Sequence, residues 1–68
     1  MAVWFIEQEL RHGDWLLQTR VSADGMEAEY LSVHTPTDTL QKREYQGETA
    51  IQQADRAFDE RAIELVHG

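Results

Sequence analysis

Three histidines, two serines and thirteen carboxylates are the side chains here with chemistry to offer, and their spacing decides what they could do. His12 falls in a Gly-containing break, His34 near the end of an apolar alternation, and His67 beside the final glycine. None has a histidine at i+2 or i+4, so no pair is spaced to grip one metal ion. Glu64 and His67 make a lone E-x-x-H, whereas a di-iron carboxylate centre needs two such motifs and further glutamates on other helices. Neither Ser22 nor Ser32 lies in a G-x-S-x-G elbow. Glycine is limited to Gly13, Gly25, Gly47 and Gly68, which leaves no phosphate-cradling run. The absence of cysteine excludes thiolate zinc sites, a cysteine nucleophile and disulfides. A chain this short rarely builds the deep pocket that catalysis uses. The expectation is therefore no catalytic residue, no metal, no cofactor and no enzyme.

The carboxylates are more informative as an array. Asp55, Asp59, Glu60 and Glu64 are spaced for the outer side of a helix, offset by Arg56 and Arg61. Arg56 can reach Glu60, while Asp55–Asp59 and Glu60–Glu64 are like-charge i,i+4 pairs costing a few tenths of a kcal/mol each. Glu7, Glu9, Glu27 and Glu29 add to the acidity, and the formal net charge is −7. The six basic residues are scattered, so direct binding to nucleic acid or an anionic membrane is not expected. Such acidity serves solubility, and it suits a partner with a basic surface.

The elements that must position these residues begin with "VWFIEQELRHGDWLLQTRV", residues 3–21. Trp4, Ile6, Gln8 and Leu10 alternate with Val3, Phe5, Glu7, Glu9 and Arg11, and alternation resumes from Trp15 to Val21. Period two around His12-Gly13 predicts a β-hairpin. A His12-Gly13 loop sets Leu10 opposite Trp15, Ile6 opposite Thr19 and Trp4 opposite Val21, with Arg11 facing Asp14. This reading gives Trp4, Ile6, Leu10, Trp15, Leu17 and Val21 to a core face, and Phe5 and Leu16 to the other.

Asp24-Gly25 predicts a second tight turn, and "EAEYLSVH" a third strand over 27–34. A two-residue loop there brings Arg20 to Glu29 and leaves Leu31 and Val33 beside Phe5 and Leu16. An odd-length loop would send them to the tryptophan face, and the pattern leaves both open. Pro36 ends the strand. "TLQKREYQG" reads as a short edge strand or an irregular connection. From Thr49 the period lengthens: Ile51, Ala54, Phe58, Ala62 and Leu65 recur at three and four, and Thr49 with Gln52 has the form of a capping box. The predicted helix covers about 49–66. Ile63 and Val66 fall off its stripe, so either they form a second apolar patch or the helix stops near Glu60 and "AIELV" returns as a strand; the spacing favours continuation.

The predicted fold class is α+β, a single small domain over 1–68. It comprises an antiparallel three- to four-stranded β-meander with one C-terminal helix packed on a face. A domain of this size buries only about 60% of its unfolded surface, and without disulfides a homodimer is the common reinforcement. No basic n-region precedes the apolar run 2–6, so no secretory leader is predicted, and nothing approaches a membrane span; a cytoplasmic location is expected. One helix cannot cover both faces of a sheet that is apolar on both. The functional expectation is a small non-catalytic protein-binding module, a regulator or inhibitor. It would dock a protein partner through Phe5, Leu16, Leu31 and Val33, with acidic surroundings that include Asp55, Asp59, Glu60 and Glu64. The alternative is an acidic decoy that mimics nucleic acid in a basic enzyme site through those four carboxylates. In size and charge the chain is similar to small accessory and inhibitor proteins of bacteria and phages, with no motif behind the likeness.

Overall fold

The computed structural model describes residues 3–68. Strands β1 (Trp4–His12), β2 (Trp15–Ser22), β3 (Glu27–His34) and β4 (Thr39–Gln46) pair antiparallel in the order β1-β2-β3-β4, and helix α1 (Ala50–His67) packs on one face. The chain is thus an α+β meander with a C-terminal helix. β4 is a full eight-residue edge strand although its residues are largely polar.

The first turn is Gly13-Asp14, not His12-Gly13, so His12 opposes Trp15 and Leu10 opposes Leu17. A two-residue hairpin loop with positive φ at its first central position favours glycine there, and Gly13 has φ 57°. Arg11 accordingly faces Leu16 rather than Asp14. The second loop spans four residues, Ala23–Met26, and keeps the register expected of a two-residue Asp24-Gly25 loop: Arg20 pairs with Glu29, and Thr19 with Tyr30. Here the Asp24 carboxylate accepts hydrogen bonds from the Ser22 hydroxyl (2.8 Å) and the Met26 amide (2.9 Å), while Gly25 supplies φ 75°. These bonds, the Met26 amide first, hold the Asp24 carboxyl below its ordinary pKa.

A β-bulge between Ile6 and Gln8 changes the face assignment of the first strand. Gln8 opposes Thr19, yet Ile6 opposes Arg20 and Phe5 opposes Val21. One extra residue in β1 reverses the alternation beyond it. Trp4 and Ile6 therefore leave the core face expected for them, and Phe5 passes to the helix side at the sheet edge, where it is 53% exposed. Trp15, Leu17 and Leu10 keep the helix side.

Two apolar clusters hold the helix. Leu17, Tyr30 and Phe58 are buried together, with Leu10, Tyr45, Ala62 and Leu65 against them; Ala28, Ala50 and Ala54 form the second, flanked by Val21 and Ile51. Alanines on both sides let helix and sheet backbones come close at α1's first turns, while larger side chains fill the space further along. Burial pushes the Tyr30 phenol above its ordinary pKa. Thr49 makes no side-chain capping bond; the Gln53 side chain instead donates to its hydroxyl (3.0 Å), so the expected capping box does not form. The helix runs on to His67, and Ile63 and Val66 stand exposed as a second apolar patch.

Candidate functional site

The sheet face turned away from α1 is left uncovered by any other element among the described residues. By register it consists of four cross-strand rows. The first is Arg11–Leu16–Val33–Leu40, and the second is Glu9–Gln18–Leu31–Lys42. The third is Ile6–Arg20–Glu29–Glu44, and the fourth runs from Trp4 past Ser22 to Glu27 and Gln46. Leu16, Leu31, Val33, Leu40 and Trp4 line a shallow groove of about 650 Å³ there. Leu31, at the centre, is only 6% exposed, whereas Leu40 at one corner is 57% and Ile6 59% exposed. The Gln18 amide donates to Glu9 (2.9 Å) and Lys42 pairs with Glu44 (3.1 Å), so polar side chains flank Leu31 within the groove.

Of the four sheet residues expected at a docking face, Leu16, Leu31 and Val33 lie together on this one. Phe5 does not, because of the bulge. Trp4 takes the position expected for Phe5, and Leu40 joins from β4. The parity of tryptophan and leucine in β1 concealed the change. The available signal was the adjacent polar pair Glu7-Gln8, since both residues at a bulge can point to one side.

Charge is divided unequally between the two sides. The open face carries Glu9, Glu27, Glu29, Glu44 and the groove-lining Asp38 against Arg11, Arg20 and Lys42, a net charge of −2. The eight remaining acids are offset only by Arg43, Arg56 and Arg61, a net charge of −5.

The acidic helix is less continuous than its spacing implies. Asp59, Glu60 and Glu64 are exposed, but Asp55 turns towards the sheet. Its carboxylate accepts a 2.7 Å hydrogen bond from Gln8, whose amide also donates to Glu7 (3.1 Å), and the Thr19 hydroxyl donates to Glu7 (3.4 Å). The bulge places Glu7 and Gln8 together against the helix. Desolvation, then the hydrogen bond and negative charge of Glu7, push the Asp55 carboxyl up to about 6. Glu64 is engaged by Arg61 at 2.9 Å, so the array splits into separate local contacts.

The histidines do not converge. His34 stacks on Trp15 with ring centroids 4.7 Å apart, and its Nδ1 lies 2.9 Å from the Thr37 hydroxyl. The Arg61 guanidinium sits 4.8 Å from the Trp15 ring centroid, an arrangement that caps this half-buried tryptophan. Among the described residues, no group of three His, Asp or Glu side chains is placed to hold a metal ion. No helix among them is long and apolar enough to cross a membrane. No family model, no curated protein and no solved structure matches the chain.

Proposed function

We propose that the protein is a small non-catalytic protein-binding module, a regulator or inhibitor, that docks through its open sheet face. The observation that supports this reading is the placement of Leu16, Leu31, Val33, Leu40 and Trp4 on one nearly neutral surface of an otherwise strongly acidic chain. A solvated sheet face ordinarily alternates to polar residues. Here Leu16, Val33 and Leu40 form an aliphatic row at one end of the face with Leu31 beside it, and a tryptophan stands at one corner, a residue type enriched at interface hot spots. Gln18, Arg20, Glu29 and Lys42 line the rest of the groove. The partner fitted by such a face has an apolar strip beside charges of both signs.

Capture from cell extract by the wild-type chain and two variant sets tests this reading. Leu16→Glu is expected to abolish retention of a specific partner, while Asp59→Lys with Glu60→Lys leaves it intact and moderate salt weakens it little. Loss of the partner with the helix variants instead, together with steep salt dependence and competition by DNA or RNA, would point to the acidic decoy. Retention by both variant sets would contradict docking through either surface.

A further inference from the structure

We infer that the open face is occupied by a second copy of this chain, the two sheets packing face to face. The inference rests on the reading of that face as the docking surface and names its occupant. Its basis is self-complementarity about one particular axis. A two-fold rotation about a line running along the strands between β2 and β3 lays β2 of one copy on β3 of the other, and β1 on β4. Leu16 of each copy then meets Val33 of the other, Arg20 meets Glu29, and Glu9 meets Lys42; symmetry makes every contact twice. A two-fold axis across the strands would instead set the central Leu31 on Glu29 and Val33 on Glu27, whereas along the chosen axis a carboxylate meets an aliphatic side chain only at the exposed flank, Ile6 on Glu44.

Shape and charge agree with the same axis. The bulky apolar corners, Trp4 on β1 and Leu40 on β4, lie diagonally opposite. Rotation brings each onto a different corner of the other copy, Gln46 and Arg11, and not onto its own equivalent. Strands of the two sheets remain near parallel, as in aligned sheet packing. Two chains of net charge −7 repel, but this face contributes only −2 of that, so it is the side on which they approach most easily. Four strands of eight or nine residues present a plane of about 19 by about 27 Å, roughly 500 Å² per copy. That is about a tenth of the 4750 Å² accessible surface, and doubled it reaches the roughly 1,000 Å² expected of a specific interface.

Neither sheet edge offers an equal site. β1 carries the bulge and β4 the charged run Lys42-Arg43-Glu44, both features that discourage edge-to-edge pairing.

Sedimentation equilibrium of the intact chain, with charge exchange across the axis, tests the inference. Wild type is expected to pass from 7.9 kDa to twice that mass as concentration rises towards about 1 mM. Arg20→Glu and Glu29→Arg are each expected to weaken association at least about tenfold, because each sets like charges together at both contacts. An equimolar mixture of the two variants recovers the dimer. In the mixed pair both contacts across the axis are again acid against base, one with its signs exchanged, whereas repulsion persists at both contacts of either self-pair. Circular dichroism confirms that each variant folds. Should one fail, Glu9→Lys and Lys42→Glu provide the same exchange at the sheet's flanks. A wild-type chain that stays at 7.9 kDa at about 1 mM, or a mixture no more associated than its components, overturns the second copy. The docking reading itself is judged separately, by the capture experiment with Leu16→Glu.

Discussion

On the helix side of the sheet, Leu17, Tyr30 and Ala28 are buried beneath Phe58, Ala50 and Ala54; on the reverse of the same strands, Leu16, Val33 and Leu40 retain contact with solvent. The two surfaces are one residue apart in sequence and comparably aliphatic. They differ in what completes them: one is filled from within the chain, and the other is left with an aliphatic row, charges of both signs and little net charge. Apolar side chains on the first side serve stability, and those on the second are the ones proposed to dock. Substitutions on the two sides should therefore separate stability from binding.

The largest effect belongs to the covered side. Leu17→Ala, at a fully buried position, is expected to cost about 2–5 kcal/mol in urea unfolding, while Leu40→Ala on the open face changes stability by less than about 0.5 kcal/mol. Equal losses at the two positions would erase the distinction between the faces. Next comes docking: Leu16→Glu should weaken association by about 2 kcal/mol or more while the far-UV circular dichroism is kept. A calorimetric titration that finds affinity unchanged would remove Leu16 from the docking surface.

A smaller effect is expected where the bulge meets the helix. The Asp55 carboxyl titrates near 6 in the fold against 3.8 for the free side chain. The folded state therefore binds more protons than the unfolded one between these values. The stability this contributes is fully present below about pH 4 and lost as pH rises through 6. Asp55→Asn should raise stability at pH 7 by about 1 kcal/mol, reduced from the full shift by solvent screening, and the gain should vanish near pH 4. Thermal melts across this range check it; an equal difference between variant and wild type at every pH would contradict the coupling to Glu7. The smallest change is at Ser32, whose hydroxyl is buried without a hydrogen-bond partner among the described residues. Ser32→Ala should leave stability unchanged or raise it by up to about 1 kcal/mol, measured by the same melts.

Much of this architecture can be read in the sequence, for identifiable reasons. Asp24-Gly25 marks the second turn, but the sequence pattern leaves its loop length open, and only the observed pairing puts Leu31 and Val33 beside Leu16. The three- and four-residue spacing from Ile51 to Leu65 defines the buried stripe of α1. β1 misleads because a bulge is a one-residue change that composition scarcely marks. Trp4, Ile6 and Leu10 share parity, so period-two reading joins residues that lie on opposite faces. Asp55 misleads for a related reason: spacing along a helix predicts its neighbours on α1, but the bulged strand brings Glu7 and Gln8 over it. β4 is polar enough to resemble a loop, and pairing with β3 along its whole length makes it a strand. Tertiary pairing overrides weak local preference there.

The proposed docking surface is the open face, and not the exposed Ile63–Val66 patch or the acidic helix. Hydroxyl-radical footprinting of the intact chain, dilute and associated, reads this directly at side-chain level. On association, Trp4, Leu16 and Leu40 should become protected while Ile63 and Val66 react as before. Protection of Ile63 and Val66 with Trp4, Leu16 and Leu40 still reactive would contradict docking through the open face.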